Sequence, residues 1–437
     1  MKKLMTSLSV VAGVTTLAAC SGEKQEQTPQ TQDIVTTIEN PVTIEFWHAM
    51  AGDNQVAVDN LVEKFNTTIG AEKGITVKPV YQGQYNDLKT KTTAALKSGS
   101  VPAISQAYPD WVAEYLQSGA VVDLTPYIEN AEVGIKDFDD IIEAYRAENS
   151  QYEGGHFYSL PFNKSTEVLY YNKTFFEENG IKVPTTWDEV EAISAQITGL
   201  TGNPAFGHDS AQNYFITMVQ QLGGKYTNSN GDILFAENDA KAAIEALELM
   251  KRNTDAGYWR LAGEDKYMSG PFMSELVHMY IGSSAGYSHI ASADFEVGVA
   301  PIPQVSEETG AVIQQGTNVV VFNQNKSPEE VYAAYEFGKY LSSYEGNLEF
   351  ATTTSYLPIR QSVVDSEAYQ TYVAESNDQT KVAGPAQAAY YFYDPSFFKD
   401  TYSSYNVRQA VGLAAEQVVL NGVSPEQAIE EALNSLK

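Results

Sequence analysis

A single cysteine, Cys20, is all that the 437 residues contain, which excludes an internal disulfide and any cysteine-rich metal site. Histidine is also scarce. Its five copies stand at 48, 156, 208, 278 and 289. No pair has the HExxH or a comparable ligand spacing, which argues against a metal enzyme, and no cofactor is expected. Basic residues are few, with Lys+Arg 27 against Asp+Glu 56 and a formal net charge of −29. Such a surface repels phosphates and anionic headgroups, so nucleic acid is excluded as a partner and membrane contact is expected only through an anchor. The G-x-G-x-x-G and G-x-x-x-x-G-K-[ST] loops are absent, and any nucleotide hydrolysis then belongs to a partner. After the first twenty residues no apolar run reaches eighteen, so the body is expected to be soluble.

What is present points to a folded, exported protein. Hydrophobic residues make up 43% and charged residues 19%, enough for a large core. At roughly 150 residues per domain, the length allows two large domains or three smaller ones. The 28 tyrosines supply flat apolar faces with a hydroxyl at the rim, suited to sugars and polyols, although any single one reads first as packing. At the N-terminus Lys2 and Lys3 precede an apolar stretch from Met5 to Leu17, too short to span a bilayer, and then Leu17-Ala18-Ala19-Cys20. This is the pattern of a bacterial lipoprotein signal. The alternative is an ordinary signal peptide with a chance cysteine, but the one thiol of the chain stands where lipidation needs it. The expectation is removal of residues 1–19, acylation of Cys20, export, and anchoring to the cell membrane on its extracellular or periplasmic face. Residues 20–40 are polar and aperiodic and read as a flexible tether, about 25 Å in root-mean-square reach.

The body alternates strand and helix patterns. Val42, Ile44 and Phe46 keep strand period, and Val58, Leu61, Val62 and Phe65 share a helical face. Ile75–Tyr81, Tyr85–Ser98, Val101–Ser105 and Asp110–Gln117 continue a βαβαβ order, which predicts a mainly parallel sheet covered by helices. Val168–Tyr171 reads as a buried strand. Thr186-Trp187-Asp188-Glu189 is a capping box, and Ser327-Pro328-Glu329-Glu330 and Ser424-Pro425-Glu426-Gln427 offer caps with proline at the first helical position. The fold class is α/β, with two lobes as the natural division and a cleft between them at the strand ends.

The run Thr43-Ile44-Glu45-Phe46-Trp47-His48-Ala49-Met50, followed in order by Tyr81-Gln82-Gly83-Gln84-Tyr85, Pro102–Gln106, Leu160-Pro161-Phe162-Asn163-Lys164-Ser165-Thr166, Val168–Lys173, Thr185-Thr186-Trp187 and Tyr356-Leu357-Pro358-Ile359, resembles bacterial extracellular solute-binding proteins of family 1. The resemblance covers nearly all of the chain after residue 40. It implies a type 2 periplasmic-binding-protein-like fold whose two α/β lobes are joined by several hinge crossings. These are expected at Thr166–Val168, near Pro301 and between Lys339 and Tyr356. The N-terminal lobe would comprise 41–165 and 302–345, and the C-terminal lobe 168–300 and 356–437. The resemblance also implies a monomer that captures a small solute and delivers it to the permease subunits of an ATP-driven importer. The solute would be glycerol phosphate, a glycerophosphodiester or an oligosaccharide.

By the same resemblance, seven positions form the solute site: Tyr85, Asp110, Ser165, Ser283, Gly316, Tyr356 and Arg408. Gly316 would let backbone N–H groups approach the solute. The Arg408 guanidinium would grip a phosphate, unless it serves a salt bridge between helices. Asp110 is a departure: the family's glutamate falls on Pro109, and the adjacent carboxylate is the substitute acceptor. Trp111 and Trp187 are further cleft candidates, with Trp187 reading more simply as a first-turn helix residue. An enzyme is the weaker reading. Gly282-Ser283-Ser284-Ala285-Gly286 fits G-x-S-x-G, but the only later histidine is His289, too near for an intervening acid. Glycosidase chemistry has no local signature here.

Overall fold

Apolar residues at strand and helix periods dictate the elements, and the computed structural model, which describes residues 34–236 and 240–437, bears most of them out. Cys20, the 1–19 signal and most of the tether lie outside the described residues. The strands are β1 (Val42–His48), β2 (Ile75–Tyr81), β3 (Ile104–Ala107), β4 (Leu160–Asn172), β5 (Phe206–His208), β6 (Trp259–Leu261), β7 (Met279–Ser283), β8 (Val297–Ala300), β9 (Val312–Val321) and β10 (Tyr391–Phe392). β1 buries Ile44 and Phe46 and exposes Thr43 and Glu45 between them. The helix Asp53–Thr67 buries Ala57, Val58, Leu61, Val62 and Phe65 on one face. Thr186 and Glu189 form the capping box that opens the helix Trp187–Thr201. Ser327 caps the helix Pro328–Leu341, and Ser424 caps Pro425–Asn434.

The strands form one path in the order β2-β1-β3-β9-β4-β7-β5-β6, with β10 beside β9 and β8 beside β4. The parallel expectation holds for β1 with β2 and β3, and for β5 with β6 and β7. It fails in the middle. β4 runs antiparallel to β7, β8 and β9, and β9 antiparallel to β3. The reason is that β4 and β9 are the connections between two lobes and traverse in opposite directions.

Each lobe has its own core. The first gathers Phe46, Leu61, Phe65, Ile104, Phe337 and Phe350; the second gathers Leu169, Trp187, Phe215, Leu247, Ile281 and Val411. β4 contributes Phe162 to the first core and Leu169 to the second, so the chain crosses between them. β9 returns, with Ile313 in the second core and Val319 in the first. The return therefore lies beyond the expected Pro301, because Ile302 and Val312 are still packed in the second core. The last crossing is also later than expected. Phe350 stacks beside Phe162 at 4.7 Å, and Ile359 packs on Ile141 and Tyr145. Arg360, buried, pairs with Asp137 (2.8 Å) and Asp140 (2.9 Å) of the first lobe. These contacts hold residues 344 to about 375 on the first lobe, which corrects the lobe start at 356. The chain rejoins the second lobe with the helix Thr380–Ala386, whose Ala383 packs with Val168 and Tyr280. The tether is corrected as well: Ile34 and Ile38 pack against the first core, so 34–40 belongs to the body.

Candidate functional site

β4 is buried along almost its whole length although its middle reads Asn163-Lys164-Ser165-Thr166-Glu167. Buried polar groups need partners, and finding them builds the site. Lys164 donates to Glu148 and to Asn318 Oδ1 (3.3 Å), an internal ion pair at the crossing. Asn163 Nδ2 donates to the Tyr85 hydroxyl (3.1 Å), while its Oδ1 accepts from Gln106 Nε2 (2.8 Å) and from the Thr317 hydroxyl. The Tyr85 and Tyr356 hydroxyls are 3.2 Å apart. Tyr85 stands at the first turn of the helix Tyr85–Ser98, where the Gln84 and Asp87 capping pair fixes its exit angle. Its ring lies 5.1 Å from Tyr108 and 6.5 Å from Trp111. The Tyr85 and Tyr108 rings, backed by the buried Trp111, and the Tyr85 and Tyr356 hydroxyls thus form the first-lobe side. Burial pushes the Tyr108 and Tyr356 phenols upward, and Tyr267 of the second lobe is close enough to add to it.

Gly316 has φ +99° and a Cβ there would meet Asn163 O at 2.0 Å. The missing side chain therefore makes room for the β4 backbone, where the β4–β9 register shifts between Pro161 and Asn163. This gives the glycine a packing reason beside the expected approach of a solute. Asp110 sits in the first turn of the helix Pro109–Leu116, accepts from Trp111 N (3.0 Å), and is pushed up to about 6, chiefly by burial, with Arg408 opposing.

The second-lobe wall starts from Ser165, whose Oγ lies 3.1 Å from that of Ser283 across the β4–β7 pair. Opposite Ser283 in register is Glu167. Its Oε1 accepts from Asn213 Nδ2 (3.0 Å) and Gln315 Nε2 (3.2 Å), and its Oε2 has no partner. Burial pushes this carboxyl up to about 8. His208 Nε2 is 3.7 Å from Oε2, and burial pushes the imidazole down to about 3, so it stays neutral. Asp209, beside them, is pushed up to about 7 by burial. Arg408 projects from the helix Ser404–Asn421. It donates through Nη1 to Asp394 Oδ2 (2.8 Å) and through Nη2 to Asn213 Oδ1.

The seven predicted residues thus fall into three groups: Tyr85 with Tyr356 and the nearby Gly316 of β9, Ser165 with Ser283, and Arg408 facing Asp110. Trp187 does not join them. It is core, edge-on to Phe206 and Tyr214, with Nε1 donating to Gln221 Oε1 (2.8 Å). Ser284, the central residue of the hydrolase-like motif, is fully buried and accepts from Thr166 N (3.2 Å). Sequence reasoning missed Tyr108, Asn163, Glu167, Asn213 and Asp394. Glu167 had a signal, being a carboxylate directly before the strand-like run Val168–Tyr171; Asn213 and Asp394 had none.

Among the contacts between the lobes is a rim. Lys89 pairs with Glu114 at 2.6 Å in the first lobe; Ser403 donates to Glu114, and the Tyr405 ring lies 3.7 Å from Lys89 Nζ. Elsewhere between the lobes is a polar cavity of about 250 Å³, bordered by Asp53, Asn54 and Thr354 on one side and Tyr287 and Ser288 on the other, with Asp378 between. None of the seven predicted residues borders it.

A family model described as bacterial extracellular solute-binding protein matches residues 60–376. The sn-glycerol-3-phosphate-binding periplasmic protein UgpB of Salmonella typhimurium is 27% identical over 342 residues, 76% of this chain and 77% of the relative. The structure of UgpB from Mycobacterium tuberculosis in complex with glycerophosphocholine superposes with a TM-score of 0.78 at 21% identity, covering 91% of this chain and 98% of that one. An ABC substrate-binding protein of Listeria monocytogenes in complex with cycloalternan superposes equally, TM-score 0.78 at 20% identity, over 91% and 98% of the two chains. These relatives are binding proteins rather than enzymes. The two-lobed α/β fold with its repeated crossings is theirs, and this chain belongs to the bacterial extracellular solute-binding protein family.

Proposed function

We propose that the protein is the solute-binding component of an ATP-driven importer, and that it takes a hydroxyl-rich solute without net negative charge: an oligosaccharide or a zwitterionic glycerophosphodiester. The observation that carries the solute class is the state of Arg408. Its guanidinium is already engaged by Asp394 at 2.8 Å and is the strongest positive influence on Asp110. A phosphate monoester arriving there meets one cation shared between two carboxylates. The Tyr85, Tyr108 and Trp111 faces, with the Ser165–Ser283 and Tyr85–Tyr356 hydroxyls, suit sugar rings or polyol chains. Glycerol phosphate is the second reading, favoured by the guanidinium itself and by what the curated relatives are named for.

Calorimetry with maltotriose, glycerophosphocholine and glycerol-3-phosphate tests this. Binding of either of the first two with weak or no binding of the third is expected. Tightest binding of glycerol-3-phosphate overturns the solute class. Binding drives closure of the lobes over the solute, because only contacts better in the closed form shift that balance. Acylation at Cys20 anchors the monomeric body outside the membrane beside its permease; mass spectrometry of the membrane-extracted protein should show a diacylglyceryl-modified N-terminus.

A further inference from the structure

A carboxyl at the lobe crossing is buried with one oxygen unpartnered. Glu167 is 1% exposed and lies between two cores, on a strand that could have carried a valine there. Burying it costs free energy unless it does something else. Its Oε1 receives the Asn213 amide and the Gln315 amide, which fixes which way Asn213 faces. With Nδ2 committed to Glu167, Asn213 must present Oδ1 to the other side, and there it accepts from Arg408 Nη2. Arg408 Nη1 meanwhile holds Asp394. The chain Glu167–Asn213–Arg408–Asp394 runs from the crossing to the cleft wall without a gap.

We propose that Glu167 is a positioning residue that clamps Arg408 onto Asp394 through Asn213 and thereby weights the solute site against anionic solutes. This rests on the reading of the cleft as the solute site. A clamped guanidinium offers a phosphate only what Asp394 and Asn213 leave over, whereas a neutral hydroxyl needs no more than that. The weighting rises with pH. The charged or titrating groups around Glu167 are His208, Asp209 and Arg408, with Asp394 behind Arg408. His208 stays neutral and Arg408 and Asp394 stay paired, so Asp209 near 7 and Glu167 near 8 are the groups that change. Of the two, Glu167 is the one that holds Asn213.

The test has a ligand-free and a ligand-bound arm. In ligand-free protein, nitrogen NMR of the guanidinium should show separate, slowly exchanging Nη signals for Arg408 in the parent and in Glu167→Gln, which keeps an acceptor for Asn213. Glu167→Ala and Asn213→Ala should average them. In calorimetry, Glu167→Ala should raise the ratio of glycerol-3-phosphate to maltotriose or glycerophosphocholine affinity at least fivefold. Glu167→Gln should keep the parent ratio at pH 6 and lose the decline in glycerol-3-phosphate affinity from pH 7.5 to 9; Asp209→Asn should retain that decline. Unchanged Arg408 signals in both alanine variants overturn the clamp. An equal loss for all three probes, or a parent-like pH profile in Glu167→Gln, overturns the weighting. If no probe binds the parent, the proposed solute class fails, and the Arg408 signals still decide the clamp.

Discussion

At the scale of single residues, burial decides the chemistry. Arg408 and Asp394 are mostly covered, so each needs the other. Arg408→Ala leaves a buried carboxylate unpaired, and unfolding in urea should show a loss of about 3–5 kcal/mol. The double variant Arg408→Met/Asp394→Asn should lose less, since no lone charge remains. The Tyr85–Tyr356 hydroxyl pair behaves differently. Tyr356→Phe removes one hydroxyl from the site and keeps the ring against Phe350. It should weaken solute binding by about 0.5–1.5 kcal/mol with the melting temperature unchanged, as calorimetry and thermal unfolding together would report. Glu167 gives the pH dependence. Its folded value, near 8, stands above the unfolded 4.5. Between those values the folded state binds more protons than the unfolded state, so stability falls as pH rises from 4.5 to 8 and then levels. The full effect is on the order of 5 kcal/mol, with Asp209 adding to it below pH 7. Glu167→Gln should flatten this slope in denaturation curves taken across that window. A parent-like slope in the variant would place the titration elsewhere.

At the scale of elements, much was legible from the chain alone, for a physical reason. Helix faces and caps are local, so Tyr85–Ser98 and the Thr186 capping box could be read from a few consecutive residues. β4 could not. Only Val168–Tyr171 looked like a strand, because the polar Asn163–Glu167 stretch is satisfied by partners more than forty residues away, such as Gln106, Thr317 and Asn213. The late final crossing was hidden for the same reason: Arg360 is held by Asp137 and Asp140, more than two hundred residues earlier. Of the site, the positions matched by family motifs could be named, while the amide and carboxyl that orient Arg408 could not. Gly316 carries an element-scale prediction. Gly316→Ala forces a methyl into the Asn163 carbonyl at a backbone angle that disfavours side chains. It should separate β9 from β4, cost at least about 3 kcal/mol, and appear as lost amide protection at both strands. A well-folded alanine variant with parent-like exchange would refute the close approach.

At the scale of the whole molecule, the lobes hold each other at the Lys89–Glu114 pair. Ser403 and Tyr405 come from the other side of the cleft, so these contacts exist only when the lobes are together. Lys89→Met/Ser403→Ala should therefore populate the open form. Small-angle scattering of the ligand-free protein should show a larger radius of gyration than the parent, and solute affinity should drop a few-fold. An unchanged radius would mean that the rim contacts contribute nothing to closure.

The twin strands β4 and β9 pass through both halves side by side, and their hydrogen bonds span the join. Any swing of one half against the other must leave that ladder intact, so it can only be a twist about the ladder itself. Residues on it behave like points on an axle, turning in place while the jaws travel. Thr166, paired with Gln314, is one such point, and Glu167 follows it directly in the chain.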